Sequence, residues 1–325
     1  MRRRKVPAGA EQEYAMWSIL AVTIPVFTII VIGYVAGRIN LIGQKAGTGL
    51  MEYVFAISLP ALIIETLSTS TMPDDNPWGY WFAYFGGVLI VWVVGMFVAG
   101  RFFGVGRREA AIHGFTAAQS NTILVGMPII LQAYGREAAT PFFLLIAVHL
   151  PVMMAVATTM IEGKQDDADW WDAAVKLLKT LVSHPILIAL AIGLGLRFVG
   201  LVPSGFVIGV LKSLGDTAIP CSLIALGLSL ARFGIAGDLR PAIFLSVLKL
   251  MLHPFSVWLL AFHVFRVPPV WAGVAVLFAA MPTGINSHIL ATRYQLAERA
   301  TSTATLLTTI AAGFTISFWL FVLGV

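Results

Sequence analysis

Charge is the scarcest property of this chain. Only 11% of its 325 residues are Asp, Glu, Lys or Arg, while 58% are hydrophobic. A soluble domain carries about 25% charged and 45–50% apolar residues. The shortage excludes an ordinary soluble enzyme, and the apolar excess excludes intrinsic disorder. Cysteine is nearly absent as well. With Cys221 alone, neither an intrachain disulfide nor a Cys-cluster metal site can form. The class left is an all-α integral membrane protein.

Ten helical spans of roughly 20 residues would use about 200–230 residues. Apolar runs bounded by charges or turn residues fall at 16–37, 47–70, 79–101, 109–134, 139–161, 181–200, 206–231, 240–265, 270–292 and 300–323. Thr71–Pro77 is a turn break, and the most polar connection, Glu162–Asp172, carries Asp166, Asp167, Asp169, Trp170 and Trp171. The expected organisation is a tail (1–15), five spans (16–161), a cytoplasmic connecting loop (162–180) and five more spans (181–325).

Basic residues set the orientation. Loops after odd-numbered spans hold Arg38, Lys45, Arg101, Arg107, Arg108, Lys164, Lys176, Lys179, Arg232, Arg240, Arg293 and Arg299. Loops after even-numbered spans hold only Arg136, Arg197 and Arg266. This places both termini outside the cytoplasm in a cell membrane. The tail's Arg2, Arg3, Arg4 and Lys5 argue the other way, but the loop bias runs along the whole chain.

The halves resemble each other. Pro25 and Pro185, Gly33 and Gly193, and Pro60 and Pro220 are each 160 residues apart; Met127-Pro128 and Met281-Pro282 are offset by 154. Five spans per half is an odd number, so the second half is inverted. Inverted repeats with broken helices are a recurrent carrier plan.

The fourth span has the polar centre Gln119, Ser120, Asn121 and Thr122, followed by Gly126 and Pro128; the ninth has Pro282, Thr283, Gly284, Asn286, Ser287 and His288. Proline lacks an N–H and clashes with the preceding turn, so both helices are expected to open at these points. Freed backbone groups need protein or a wet cavity around them. Pro128 and Pro282 are expected to begin half-helices. Two positive helix ends at mid-depth favour an anion, especially a carboxylate.

Charges within spans are few. Glu52 and Glu65 lie toward the ends of the second span, whereas Asp216 lies near the middle of the seventh. A charge at that depth usually faces a cavity, which makes Asp216 the candidate proton carrier; a local pair with Lys212 is the competing role. His113, His149, His184, His253, His263 and His288 show no metal spacing, and packing is their expected role. Lys249 and His253 share one helical face and suggest at most a counter-ion.

Enzyme signatures fail. There is no HExxH, Ser213 replaces the first glycine ahead of Gly215-Asp216, and Gly227-Leu228-Ser229 has no matching histidine. No cofactor motif is present.

The string Ser120-Asn-Thr-Ile-Leu-Val-Gly-Met-Pro-Ile-Ile-Leu-Gln-Ala-Tyr-Gly135 resembles the fourth-helix signature of the auxin efflux carrier family. Ser58–Ile63, Pro220–Ala231 and Met281–Asn286 with Ala291 and Tyr294 resemble its second, seventh and ninth helices. The resemblance covers residues 16–325. It implies ten helices in two inverted five-helix repeats, with broken helices 4 and 9 crossing at their prolines. It also implies secondary transport of organic anions: auxin in plants, malate or malonate in bacteria. Asn121, Thr122 and the backbone around Gly126 and Pro128 would bind substrate, with Pro282, Thr283, Gly284 and Asn286 opposite. The short central loop resembles bacterial members, many of which carry Gly and Phe where Ile123 and Leu124 stand here. A sodium-coupled bile-acid-type symporter shares the broken-helix plan; a channel, a receptor or an intramembrane enzyme are the other classes weighed. The expected partners are a small organic anion and the lipid bilayer, with no nucleic acid. A homodimer is compatible with them.

Overall fold

The computed structural model describes residues 8–69, 77–163, 185–232 and 237–325. The basic tail, the Thr71–Pro77 break up to residue 76, most of the polar connection with Trp170 and Trp171, Lys164, Lys176, Lys179 and His184 lie outside the described residues.

The described chain is helical and contains no strand. Its first half holds α1 (Ala8–Arg38), α2 (Gln44–Tyr53), α3 (Leu59–Thr69), α4 (Trp78–Phe102), α5 (Arg107–Ala118), α6 (Met127–Tyr134) and α7 (Ala139–Glu162). Its second half holds α8 (Pro185–Phe198), α9 (Gly205–Gly215), α10 (Ala218–Leu230), α11 (Leu239–Val247), α12 (His253–Trp258), α13 (Pro269–Ala280), α14 (Asn286–Tyr294) and α15 (Glu298–Leu323). Wide turns at Val54–Ser58 and Leu248–Leu252 join α2 to α3 and α11 to α12. Each sits a few residues ahead of a proline, Pro60 and Pro254. A wide turn accommodates the missing N–H without ending the helix.

Seven helical runs among the described residues are long and apolar enough to cross a membrane, and α8 and α13 are shorter apolar helices. The difference from ten has local causes. The fourth and ninth expected spans are interrupted in mid-course, and the sixth begins outside the described residues. The run 122–162 turns at Gly135, whose φ is +66°, a conformation that favours glycine. Phe97, Phe206 and Phe314 point outward and are exposed, as suits a surface solvated by lipid.

Small residues let the helices approach closely. α1 lies against α10, where a Cβ on Gly33 would come 2.5 Å from the Ile224 carbonyl oxygen, and one on Gly227 would collide with the Ile30 carbonyl. α8 lies against α3, where a Cβ on Gly193 would come 3.0 Å from Leu67 Cβ and 3.3 Å from Ile64 Cα. The partners interchange at the sequence offset: 33 with 224, and 193 with 64.

Candidate substrate site at the paired helix breaks

α5 ends at Ala118. Gln119 turns extended (φ −73°, ψ 121°), and Asn121 is non-helical (φ −80°, ψ 71°). Helical turns resume at Thr122 through a wide turn, Thr122–Gly126, that leads into α6. The opening expected at Gly126 and Pro128 therefore lies at 119–121 instead. Pro128 does stand in the first turn of α6, but the chain is helical well before it. The wide turn is the reason: the Met127 N–H donates to Thr122 O and the Gly126 N–H to Asn121 O, each spanning five residues. The helix thus passes the proline without opening there.

In the second break, α13 ends at Ala280 and Met281 is extended (φ −62°, ψ 150°). The Pro282 ring disfavours a helical conformation at the residue before it. Pro282 was expected to begin the following half-helix. It lies instead in the non-helical stretch, and α14 starts at Asn286.

The two open segments run antiparallel, with Ser120 opposite Thr283. The Asn121 N–H donates to Pro282 O at 2.8 Å, and the Gly284 N–H to Gln119 O at 3.1 Å. Each break thus satisfies backbone groups that the other leaves free, as a bilayer interior requires. The approach is close: a Cβ on Gly284 would lie 3.0 Å from the Ser120 carbonyl oxygen. Thr283 is fully buried and faces away from the cavity. Its N–H donates to Thr308 Oγ1 at 3.0 Å and its hydroxyl to Thr116 O at 3.2 Å.

A cavity of about 450 Å³ opens against this crossing. Its polar end is formed by Gln119, Ser120, Asn121, Thr122, His149 and Asn286. Its walls are apolar and include Met51, Phe55, Ile123, Leu124, Met154 and Ile289. Of the expected site residues, Asn121, Thr122 and Asn286 meet here, and the helical runs beginning at Thr122 and Asn286 both start at the cavity. Pro282, Thr283 and Gly284 build the crossing without lining the cavity, while Gly126 and Pro128 lie past it, in the wide turn and the first turn of α6. Asp216 is not brought to it. Asp216 is exposed at the joint between α9 and α10, and no ion pair joins it to Lys212 among the described residues.

Several polar atoms around the crossing are buried without a hydrogen-bond partner among the described residues: Asn121 Nδ2, Gln119 Oε1, Ser287 Oγ and His149 Nε2. Buried polar groups are ordinarily paired, so these unpaired atoms set the crossing apart.

Behind Ser120 lies a group for which the spacing suggested at most a counter-ion role. Lys249 is fully buried. Its Nζ donates to Ser120 Oγ at 2.7 Å and to Ala279 O at 2.6 Å, and stands 3.0 Å from His253 Nδ1. It therefore bridges the first break to the helix leading into the second. A lysine in mid-span, four residues before a histidine, was the available signal. The long-range partners, 129 and 30 residues away in sequence, were not visible. Tyr84, whose hydroxyl lies 3.0 Å from His149 Nδ1, carried no signal at all.

Helical runs suited to a membrane, crossed helix breaks and a cavity at the crossing define a polytopic membrane transport protein. The chain belongs to the family described as "Membrane transport protein", whose model matches residues 18–320; this is the family of the auxin efflux carriers. It is 25% identical over 316 residues to a Rhizobium meliloti (strain 1021) protein described as "Putative malonate transporter", covering 95% of this chain and 97% of the relative. It is 22% identical over 315 residues to an "Uncharacterized transporter" of Methanothermobacter thermautotrophicus, covering 92% of this chain and 96% of that one.

Proposed function

We propose that the chain is a secondary transporter of organic carboxylate anions that works by alternating access. In this reading ten spans form two inverted repeats, 16–161 and 181–325, in the cell membrane with both termini extracytoplasmic. The interchanged packing of Gly33 on Ile224 and Gly193 on Ile64 supports the repeat. The observation that carries the function is the polar end of the cavity. Two helical runs begin there, at Thr122 and Asn286, and a buried Lys249 stands behind Ser120 with no carboxylate paired to it among the described residues. Helix starts and a buried cation both favour a negative ligand.

The apolar walls favour an anion with an apolar body. The Rhizobium relative's description keeps malonate among the candidates. Proteoliposome uptake of malonate, malate, benzoate and phenylacetate, with pH and sodium gradients imposed separately, tests the reading. Saturable uptake of at least one anion is expected, with benzoate or phenylacetate favoured over malate. Absence of saturable uptake for all four would sink it. The coupling role expected of Asp216 is checked in the same assay: Asp216→Asn abolishes pH-driven uptake if that role is real.

A further inference from the structure

Among the described residues the Lys249 amine has neutral partners only: a hydroxyl, a backbone carbonyl and a histidine ring. A buried ammonium without a counter-ion is costly, so its surroundings bear on whether it keeps its proton. The titratable side chains that face it are His253 on its own helical run, Tyr84 of α4 and His149 of α7. α5 also packs against this segment. Its Arg107, Arg108 and Glu109 lie in its first turn, and His113 Nδ1 is bonded to the Glu109 carbonyl. α15 brings only Glu298 and Arg299, at its start, and α13 has no titratable side chain. Arg240 and His263 lie toward the two ends of Lys249's own run, and Arg101 lies in the last turn of α4.

These groups form a chain that ends at the cavity. Lys249 Nζ meets Ser120 Oγ. The Tyr84 hydroxyl lies 3.0 Å from His149 Nδ1, with the Ser120 side chain beside it. His149 lines the cavity, and its Nε2 is buried with no partner among the described residues. Hydroxyls donate and accept, and an imidazole can carry its proton on either nitrogen. The same geometry therefore satisfies both forms of the lysine. As an ammonium, Lys249 donates to Ser120 Oγ, Ala279 O and His253 Nδ1. As an amine, it donates to Ala279 O and His253 Nδ1 and accepts from the Ser120 hydroxyl.

We propose that Lys249 is the proton-binding residue of the transport cycle, loaded and unloaded from the cavity through Ser120, Tyr84 and His149. On release, Nζ gives a proton to Ser120 Oγ. Ser120 passes its own proton to the Tyr84 oxygen, Tyr84 passes its own to His149 Nδ1, and His149 gives up its Nε2 proton to the cavity. One proton leaves, Lys249 becomes neutral, and His149 ends as the other tautomer. Loading reverses each step. Because Nζ holds Ser120 of one break and the helix leading into the other, its charge state bears directly on the crossing that the substrate meets.

The inference rests on the carrier reading, and the test separates the two. Proteoliposomes are assayed with whichever of malonate and phenylacetate shows counterflow at equal pH, then with an imposed pH gradient. Wild type is expected to show counterflow and stimulation by the gradient. Lys249→Met is expected to lose the stimulation, taken as the ratio to its own counterflow at equal pH. Tyr84→Phe, which keeps the ring and removes only the hydroxyl, is expected to keep counterflow and lose at least tenfold of the stimulation. Should Lys249→Met give no monodisperse protein or no counterflow, Tyr84→Phe decides alone. Undiminished stimulation in Tyr84→Phe or in a folded Lys249→Met overturns the proposal. So does wild-type counterflow that ignores the pH gradient, and so does stimulation lost in Asp216→Asn but kept in Lys249→Met. No counterflow of either anion in wild type overturns the carrier reading, and the proposal falls with it.

Discussion

Asn121 shows how one residue serves both crossing and cavity. Its backbone N–H is spent on Pro282, while its side-chain Nδ2 is buried and has no partner among the described residues. A neutral hydrogen bond is worth about 1 kcal/mol, and one to a charged group about 1.5–3 kcal/mol. Asn121→Ala should therefore weaken anion binding about tenfold or more, read as a rise in KM or Kd across the uptake panel, with the protein still folded. Thr283 should behave differently, because its hydroxyl is bonded to Thr116 O and does not face the cavity. Thr283→Val leaves that carbonyl without its partner, which costs about 1–3 kcal/mol. The expected outcome is a lower melting temperature in detergent with KM little changed. Sequence reading named both residues as substrate contacts. It could recognise their polarity, but which way the Thr283 hydroxyl turns depends on Thr116, on another helix.

At the scale of elements, the broken helices were legible and the points of opening were not. Proline and glycine among small polar residues marked the fourth and ninth spans. The opening then fell at 119–121, because the wide turn at Thr122–Gly126 lets the helix carry Pro128. Gly284 is needed at the crossing for closeness: the atom a side chain would meet is a backbone oxygen at 3.0 Å. Gly284→Ala should force the two segments apart, at a cost of about 1–3 kcal/mol typical of overpacking. Lower thermal stability and reduced uptake are expected together; an unchanged melting temperature would argue against the paired crossing. Gly227→Leu should similarly separate α1 from α10, since even a Cβ there meets the Ile30 carbonyl. It is expected to lower the melting temperature while leaving the cavity residues untouched.

For the whole molecule, the unresolved contest was between the loop charges and the basic tail. Thiol labelling in a Cys221→Ser background decides it. With an impermeant reagent on intact cells, Glu137→Cys should be labelled and Leu41→Cys protected. The reverse pattern would invert the orientation and give the basic tail the vote. Both positions are exposed, so protection would report the side of the membrane rather than burial.

Membrane residence, the two polar helix breaks and the likeness between halves were determined by the sequence alone. Each is a local property: apolar run length, backbone groups that proline removes, and residue order at a constant offset. The tertiary structure alone decided what those breaks do to each other. It paired Asn121 with Pro282 and Gly284 with Gln119, turned Thr283 away from the cavity and left Asp216 outside it. It also carried Lys249 to Ser120, where a buried cation comes to stand behind the polar end of the cavity. Such contacts join residues far apart in the chain, and no local pattern of spacing encodes them. They exist because backbone groups freed inside a bilayer, and a charge buried there, must find partners on neighbouring helices.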